Sequence, residues 1–416
     1  MKIQNIIILA GGDSTRFWPL SEKNIFQFLN KPFISYQIEK VLEFAEKIIV
    51  VCNKNNEQII QKLHPYVKTV LQDNVNDGMA GALLSCKPFI QGNVLVLNAA
   101  DFLNYDFISQ YIEKLKSNSY QSIFLLKKLT EYFPGAYVVM ENNKIVRFIE
   151  KPDPDKLPSD MSKLVADYFS DFSQLIEIIE QTKTSSDDRY ELAVNEYIHK
   201  YPLSDKVIYD DFWLVLKYPW HVLLVMKYFL SLLRANGISP ETILPKDVVL
   251  VGLVKIGKNV KINNFVKIVG PCYIGDNTII GDHVLIRESH IGRNCLIGQG
   301  SEIARSYIDN GSMFHRNYVG DSVISQKVLM GSGAVTANFR FDEKPVISYV
   351  QDKKINSNLH KFGAIIGNNS KIGVNSTVLP GIKIGKDSCI APGEVVSLDI
   401  PDKSFFIKSV MKKNIL

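Results

Sequence analysis

The feature that most constrains the fold is a six-residue repeat in the second half of the chain. Ile-Gly pairs recur at spacings of six residues or nearly so, at Ile256-Gly257, Ile274-Gly275, Ile280-Gly281, Ile291-Gly292 and Ile297-Gly298. The repeat resumes later with Ile366-Gly367, Ile372-Gly373, Val378, Ile384-Gly385 and Ile390. Such a repeat is typical of a parallel β-helix, in which each repeat forms one flat side and three sides form one coil. Asn310 to Lys361 lies outside the repeat and is predicted to form loops or insertions that carry function.

The first half of the chain follows a different pattern, in which short apolar runs alternate with amphipathic stretches. We predict a helix from Phe33 to Phe44, and strands at Ile3 to Ala10, Lys47 to Cys52, Val94 to Asn98 and Ser122 to Leu126. This β-α-β order indicates a largely parallel α/β sheet with helices on both faces. Ligands of such sheets bind at the carboxyl ends of the strands, so residues just after a strand are the first candidates for function.

A helix predicted from Trp220 to Ala235 separates the two patterns. Gly237 would end this helix, and Pro240 and Pro245 follow it. The predicted domains are therefore residues 1–236, including this linker helix at 220–236, and residues 247–416. A chain of 416 residues is also too long for a single core, which favours two domains.

The composition limits the class of function. Lys and Arg number 48 against 43 Asp and Glu, without a dense basic block, so the sequence does not predict a nucleic-acid partner. Apolar runs are shorter than the roughly eighteen residues of a membrane span, so no membrane partner is predicted. The five cysteines are scattered without a C-x-x-C pair, as expected of reduced thiols in a cytoplasmic protein.

A glycine-rich turn follows the first predicted strand directly. The string from Leu9 to Ser21 reads LAGGDSTRFWPLS. Glycines at such a turn let backbone N–H groups face inward and bind phosphate oxygens, and Arg16 adds a planar, permanently charged group. The whole string resembles the signature of sugar-1-phosphate nucleotidyltransferases, L-A-G-G-x-G-T-R-x-x-P-L-(S/T).

The resemblance to this family continues in order along the first half. Asp77 to Ala82 is similar to its G-T-A-x-A segment, Leu95 to Asp101 to the strand that ends in a metal-binding Asp, and Glu150-Lys151-Pro152 to its E-K-P. The resemblance implies nucleotidyl transfer from a nucleoside triphosphate, UTP or dTTP, to a sugar 1-phosphate, with Mg²⁺ bound by Asp101. It assigns catalysis to Arg16 and Asp101, nucleotide binding to Ala10, Gly11, Gly12, Gln72 and Gly78, and sugar-phosphate binding to Gly135, Glu150, Lys151 and Glu191.

Three positions depart from the family pattern. Ser14 replaces a loop glycine, Phe26 replaces the Lys of the P-K pair, and Val215 replaces the Asp of the W-x-D-x-G segment. Lys217 follows two residues after Val215 and would restore only part of the lost charge. Catalysis of this type depends on positioning and electrostatics, so the loss of a phosphate-binding Lys and a metal carboxylate is expected to weaken nucleotidyl transfer.

The predicted β-helix carries a second motif. His315 to Ser322 reads HRNYVGDS, and Gly331 to Asn338 reads GSGAVTAN. They resemble the H-x-x-Y-x-G-D-(S/A) and G-x-G-x-x-x-x-N segments of amino-sugar-1-phosphate N-acetyltransferases. Bifunctional sugar-1-phosphate nucleotidylyltransferase/acetyltransferases carry both halves in this order, and the resemblance implies a left-handed β-helix.

Acetyl transfer needs a base that accepts a proton from the attacking amine, and histidine has a suitable pKa. By resemblance His315 is this base and acetyl-CoA is the donor. The acceptor contacts would be Arg287, Tyr318, Asn338 and Lys361, and the acetyl-CoA contacts Ser376 and Ala391. A further phosphate-binding Lys of the family is Ala304 here, with Arg305 adjacent.

The sequence leaves three functions open. The first is a bifunctional enzyme of sugar-nucleotide synthesis, of the kind that serves UDP-GlcNAc biosynthesis. The second is a nucleotidyltransferase whose β-helix only trimerises it. The third is a catalytically degenerate sugar-nucleotide-binding regulatory protein, suggested by Phe26 and Val215. We expect a homotrimer, because the flat faces of a β-helix prism stack in threes and the family's acetyl-CoA sites lie between subunits.

Overall fold

The computed structural model describes residues 1–186, 188–408 and 410–413. The chain folds into two compact units: Met1–Asp13 with Pro32–Val215, and Ser14–Lys31 with the residues from Leu216 onward. This division differs from the sequence-based one at 1–236 and 247–416, because the segment Ser14–Lys31 and the helix after Trp220 belong to the second unit. The functional domain limits remain a prediction.

Among its described residues, the first unit contains a mixed sheet of nine strands. These are β1 (Ile3–Leu9), β2 (Ala45–Cys52), β3 (Lys68–Leu71), β4 (Val94–Asn98), β5 (Ser122–Lys128), β6 (Ala136–Glu141), β7 (Lys144–Glu150), β8 (Met161–Phe169) and β9 (Ser204–Ile208). Their order is β7-β6-β8-β4-β1-β2-β3, with β5 beside β8 and β9 beside β5. The pairs β1–β2, β1–β4 and β2–β3 are parallel, whereas β8 is antiparallel to β4. Near-continuous apolar runs such as that of β1 suit strands buried on both faces.

The described residues of this unit include six α-helices: α1 (Phe33–Val41), α2 (Glu57–Leu63), α3 (Gly78–Cys86), α4 (Phe107–Ser117), α5 (Phe172–Gln181) and α6 (Arg189–Lys200). Helices α3, α5 and α6 share a core with Ile7, Ile49 and Val96 of the central strands. The predicted helix from Phe33 was too long, because Phe44 N–H bonds to the Val41 carbonyl in a turn after α1. The helix α7 (His221–Ser231) of the second unit is likewise shorter than predicted.

The second unit is a left-handed parallel β-helix with three faces. The first face comprises Gly237–Ile238, Val254–Ile256, Cys272–Ile274, His290–Ile291, Tyr307–Ile308, Val323–Ile324, Ile365–Ile366 and Lys383–Ile384. The second comprises Val249–Val251, Lys267–Val269, Leu285–Arg287, Glu302–Ala304, Tyr318–Gly320, Val335–Thr336, Thr377–Val378 and Val395–Val396. The third comprises Lys261–Ile262, Ile279–Ile280, Leu296–Ile297, Met313–Phe314, Leu329–Met330, Lys371–Ile372, Cys389–Ile390, Ser404–Ile407 and Val410–Lys413.

The prediction that Asn310 to Lys361 leaves the repeat was wrong for its first half. Strands on all three faces continue in parallel register as far as Val335–Thr336. The Ile-Gly signal is lost there because other apolar side chains, Phe314, Val319 and Met330 among them, fill the interior. Only the stretch after Thr336 departs from the coil, and it contains the antiparallel hairpin Ile347–Val350 with Lys353–Asn356.

The described residues include no helix that is long and apolar enough to cross a membrane. All five cysteines are free thiols, as the sequence predicted; four of them are buried, and Cys389 is half-buried.

Candidate functional site

The glycine turn lies at the carboxyl end of β1, in the middle of the sheet. The Ala10 carbonyl accepts from Asn56 Nδ2 at 2.9 Å, and the Gly12 carbonyl accepts from Asn53 Nδ2 at 2.7 Å. Across the residues that the structure describes, no group accepts a hydrogen bond from the N–H of Gly11 or Gly12. These two donors can therefore bind phosphate oxygens.

Gln72 lies directly over this turn. A Cβ on Gly11 would be 2.1 Å from Gln72 Oε1, so only glycine leaves room for the contact. Gln72 Nε2 donates to the carbonyls of Gly78 and Asn74, at 2.8 and 3.0 Å. The structure thus brings together three residues predicted to bind the nucleotide. Because both amide hydrogens hold the loop, Oε1 is the Gln72 atom left to contact a base.

Arg189, which the sequence analysis missed, holds the predicted nucleotide segment to α6. Its Nη1 lies 2.6 Å from Asp77 Oδ2, and its Nε and Nη2 donate to the carbonyls of Thr182 and Ile179 at 2.9 and 2.7 Å. Asp77 directly precedes Gly78 of the nucleotide site. Asp77 and Arg189 are far apart in the chain, so no local sequence pattern could predict their ion pair.

Asp101 is fixed by donors on both carboxylate oxygens. It lies in a two-stranded antiparallel pair, Asp101–Leu103 with Trp213–Val215. Trp213 Nε1 donates to its Oδ1, and Asn98 Nδ2 to its Oδ2, each at 3.0 Å. Gln37 Nε2 holds its main-chain carbonyl at 2.6 Å. The carboxylate is therefore held in one orientation, three residues after the end of β4.

Val215 lies directly opposite Asp101 in this pairing. Opposite residues in antiparallel strands have Cβ atoms about 4.5–5.5 Å apart, so a carboxylate at position 215 would lie beside Asp101. In the described ranges, no group of three or more His, Cys, Asp and Glu side chains is arranged to hold a metal ion. Mg²⁺ is commonly bound by one or two carboxylates together with substrate phosphates and water. Asp101 fits an ion that arrives with a triphosphate.

The predicted sugar-binding residues Gly135, Glu150 and Lys151 lie together. Lys151 N–H donates to the Gly135 carbonyl at 3.0 Å, and Lys151 Nζ is 2.9 Å from Glu150 Oε1. A Cβ on Gly135 would be 3.0 Å from the Phe133 ring, which packs on Trp213 with centroids 4.6 Å apart. Trp213 also donates to Asp101, the predicted metal ligand. One tryptophan therefore contacts both the predicted sugar-binding region and the predicted metal site.

Glu191, in the first turn of α6, is buried near Glu150. Burial raises the pKa of Glu191 to about 7; Lys163 acts against this shift, and the charge of Glu150 adds to it. Behind it, Lys163 Nζ pairs with Asp167 Oδ2 at 2.6 Å, and Tyr190 Oη donates to the same oxygen at 2.7 Å. The sequence signal for this buried pair was two charged residues inside an otherwise apolar strand.

Arg16 lies in the segment Ser14–Lys31 of the second unit, on the short 3-10 helix Thr15–Phe17. Its side chain is exposed, and the described residues offer its guanidinium no hydrogen-bond partner. Ser14 has a φ of 57°, the left-handed conformation that the family's glycine favours. Its Oγ donates to Glu22 Oε1 at 2.9 Å, a hydrogen bond that glycine could not make.

Phe26, at the position of the family's Lys, is buried in an aromatic cluster of the second unit. Its ring centroid lies 5.6 Å from those of Phe17 and Phe28 and 4.9 Å from that of Tyr307. Tyr307 Oη, on the first face of the β-helix, donates to the Gln27 carbonyl at 2.6 Å. Position 26 therefore anchors the segment to the β-helix and offers no group for phosphate binding.

Trp18 makes a second anchor for the same segment. Its Nε1 donates to Asp402 Oδ1 at 2.8 Å, and Lys383 Nζ lies 5.5 Å from the centre of its ring. Gln351, on the inserted hairpin, donates from Nε2 to Thr15 Oγ1 at 3.4 Å. The residues on both sides of Arg16 are thus held by the β-helix.

The predicted acceptor residue Arg287 lies on the second face and forms an ion pair with Glu302. In the next coil, Ala304 lies beside Arg287. Arg305 does not compensate for the missing lysine, because it donates from Nε and Nη2 to both carboxylate oxygens of Asp321, at 2.7 and 2.8 Å.

Tyr318 and Asn338 meet on the same face. Asn338 Nδ2 donates to Tyr318 Oη at 3.1 Å, and a Cβ on Gly320 would be 2.5 Å from that hydroxyl, so glycine is required there. Lys361 pairs with Phe339 in an antiparallel bridge, and its side chain is exposed. Three of the predicted acceptor contacts are therefore neighbours.

His315 lies at the turn between the third-face strand Met313–Phe314 and the second-face strand Tyr318–Gly320. Its backbone N–H donates to the Met330 carbonyl at 3.3 Å, and its carbonyl accepts from Ser301 Oγ at 2.8 Å. The imidazole is exposed and has no hydrogen-bond partner among the residues described. It can accept a proton from a substrate.

The predicted acetyl-CoA residues Ser376 and Ala391 are neighbours, but both are buried. Ser376 Oγ donates to the Ala391 carbonyl at 2.9 Å. The hydroxyl of Ser376 therefore links two coils, and this residue exposes none of its surface to a cofactor.

Both halves of the chain match known protein families. The nucleotidyl transferase family matches residues 5–214, and bacterial transferase hexapeptide (six repeats) matches residues 253–288 and 363–393. A bifunctional sugar-1-phosphate nucleotidylyltransferase/acetyltransferase of Sulfurisphaera tokodaii is 32% identical over 96% of this chain and 98% of its own length. Bifunctional GlmU proteins of Methanococcus maripaludis (strain C5) and Methanococcus vannielii are 32% and 31% identical over 97% of each chain.

These matches extend over both halves of the chain. The nucleotidyl transferase match precedes the hexapeptide match, in the order in which the relatives' names join their two activities. Full-length identity at this level goes beyond a shared fold. The chain belongs to the family of bifunctional sugar-1-phosphate nucleotidylyltransferases/acetyltransferases.

Proposed function

We propose that the chain is a bifunctional enzyme of sugar-nucleotide synthesis, in which acetyl-CoA-dependent N-acetylation of an amino-sugar 1-phosphate is the better supported activity. The observation that carries this proposal is the cluster at the second face of the β-helix. Tyr318 and Asn338 are hydrogen-bonded there, and Lys361 forms a β-bridge with Phe339, the residue after Asn338. His315, three residues before Tyr318, supplies an exposed imidazole. The relatives' names support both activities.

Acetyl transfer requires a base, because an amine cannot complete its attack on a thioester while it keeps its extra proton. In the proposed reaction the sugar nitrogen attacks the thioester carbonyl carbon and gives a proton to His315. The new C–N bond forms as the C–S bond breaks, and the proton passes to the sulfur of coenzyme A. Lys361 carries an exposed positive charge suited to the sugar phosphate, whereas Arg287 shares its charge with Glu302.

For nucleotidyl transfer, the first unit supplies the N–H groups of Gly11 and Gly12 for phosphate binding, with Glu150, Lys151 and Glu191 for the sugar. Mg²⁺ at Asp101 would neutralise charge on the transferring phosphate. Arg16 is the proposed cationic partner of the triphosphate. UTP or dTTP is the proposed donor and a UDP-GlcNAc pathway the proposed setting, in the cytoplasm. With Phe26 and Val215 in place of a Lys and an Asp, we expect this transfer to be slow.

We also propose that the protein is a homotrimer through the third face of the β-helix. Ile279, Leu296, Met313 and Leu329 are in register on successive coils of this face. Three of them expose 38–48% of their surface, namely Ile279, Met313 and Leu329. Monomeric proteins rarely leave a contiguous apolar stripe exposed, and the flat faces of three prisms can close on one another.

Met313→Glu is expected to convert this trimer into a monomer, because it places a charge in the middle of the apolar stripe. Light scattering of dilute protein measures the mass directly. Lys371→Glu is the matched control, since Lys371 follows Leu329 on the same outward row but lies outside the stripe. A wild-type monomer, or a Met313→Glu trimer, would contradict the proposed interface.

A second candidate is a protein that binds sugar nucleotides without catalysis. The burial of Phe26 and the pairing of Val215 with Asp101 favour it over nucleotidyl transfer. A nucleotidyltransferase with a purely structural β-helix is less well supported, because such a β-helix needs neither the exposed imidazole of His315 nor the hydrogen-bonded pair Tyr318–Asn338.

Two coupled assays on a panel of sugar 1-phosphates and amino-sugar 1-phosphates test the proposal. We expect acetyl-CoA to release free thiol with at least one amino-sugar 1-phosphate, and pyrophosphate release from UTP or dTTP to be slower. Thiol release without pyrophosphate release would restrict catalysis to the β-helix. If neither product forms but nucleotide binds, the binding protein is the correct function.

A further inference from the structure

A chain of hydrogen bonds on the second face of the β-helix ends at Asn338. Arg305 donates from Nε to Asp321 Oδ1 at 2.7 Å and from Nη2 to Asp321 Oδ2 at 2.8 Å. Asn338 Nδ2 donates to the same Oδ2 at 2.5 Å and to Tyr318 Oη at 3.1 Å. Arg305 and Asp321 belong to this series of hydrogen bonds but are not among the residues proposed to contact the substrates.

Asp321 decides which way the Asn338 amide faces. An asparagine amide can be turned so that its oxygen and nitrogen exchange places, and only its neighbours determine the choice. An ionised carboxylate accepts hydrogen bonds and cannot donate, so the amide nitrogen must face Asp321. Its two hydrogens are then used by Asp321 and Tyr318. Asn338 Oδ1 is left as an acceptor, and the Tyr318 hydroxyl hydrogen is left as a donor.

Asp321 is itself unable to turn away. Its backbone N–H donates to the Ala304 carbonyl at 2.9 Å, and its carbonyl accepts from the Gly363 N–H at 2.8 Å, so coils on both sides hold it. The two parallel bonds from Arg305 fix the plane of its carboxylate. Only 8% of the Asp321 side chain is exposed, so water competes little for these oxygens.

We propose that Asp321 and Arg305 are positioning residues for acetyl transfer, which fix the Asn338 amide so that its Oδ1 accepts from an N–H of the acceptor's amino group. This inference rests on the proposed acetyltransferase function. Holding one N–H of the amine directs its lone pair, and alignment of the reacting atoms contributes strongly to rate. It also explains why Arg305 is not a substitute for the absent phosphate-binding lysine.

Asp321→Asn in the full-length protein tests the proposal. Asparagine tolerates the left-handed φ of 47° at this position, so the backbone is preserved. A second amide can donate as well as accept, so the Asn338 amide loses its fixed orientation. We expect kcat for thiol release to fall on the order of tenfold, with the KM for acetyl-CoA unchanged. Asp276→Asn, which removes a carboxylate elsewhere on the β-helix, should have no effect.

A double-mutant cycle separates positioning from a structural role. In an Asn338→Ala background, Asp321→Asn should change the residual rate less than about twofold, because the amide that it orients is gone. Arg305→Lys keeps the charge without the two parallel bonds and should give a smaller loss than Asp321→Asn. A wild-type rate for Asp321→Asn, or an equal loss in the Asn338→Ala background, overturns the proposal. A wild type that acetylates no acceptor contradicts the proposed function itself.

Discussion

His315→Ala is expected to lower acetyl transfer by about 10²- to 10⁴-fold, the usual contribution of a positioned general base. The imidazole is exposed, and only the backbone of His315 bonds to neighbouring coils. Removing the ring therefore removes no hydrogen bond that holds the β-helix together. The loss should appear in the rate of thiol release from acetyl-CoA, with the melting temperature within a few degrees of wild type.

His283→Ala provides a matched control for His315→Ala. His283 is also exposed at a turn of the β-helix, where its ring stacks on Phe265 with centroids 5.0 Å apart. We expect this variant to acetylate at the wild-type rate. Pyrophosphate release should be unaffected by either substitution. A His315→Ala enzyme with full thiol release would make His315 a surface residue without a role in proton transfer.

The elements of the fold followed from local sequence patterns. Strand β1 and the glycine turn could be predicted because an apolar run and adjacent glycines determine the backbone conformation locally. The β-helix followed from the Ile-Gly repeat, yet the coils that contain Phe314 and Met330 were missed. Their interior accepts any apolar side chain of suitable volume, so the structure continues where the sequence signal does not.

The side-chain networks of the candidate sites could not be read from the sequence in the same way. Arg305 and Asp321 are 16 residues apart, the length of one coil, and they meet only because the coils stack. Phe26 and Tyr307 come from opposite halves of the sequence. The sequence shows that Phe26 replaces the family's Lys. Its packing against Tyr307 could not be predicted, because the two residues are distant in the sequence.

Asp101→Ala is expected to abolish Mg²⁺-dependent pyrophosphate release, because the residue opposite it is Val215 and no second carboxylate is paired with it there. The substitution also leaves the Trp213 and Asn98 donors without their acceptor, so the melting temperature should be measured alongside. Asp106→Ala, an exposed carboxylate just before α4, is the matched control and should keep the wild-type rate. Substantial pyrophosphate release by Asp101→Ala would place the metal elsewhere.

Val215→Asp tests the same metal-site hypothesis by adding a carboxylate opposite Asp101 where Asp101→Ala removes one. Two carboxylates with Cβ atoms about 4.5–5.5 Å apart repel each other without a cation, so this variant should melt below wild type in the absence of metal. Mg²⁺ at about one hundred times its dissociation constant should then stabilise the fold by about 2.7 kcal/mol and raise pyrophosphate release. Val215→Asn, similar in size but neutral, should show neither effect. If Mg²⁺ does not change the melting temperature of the Val215→Asp protein, Asp101 does not lie at a metal site.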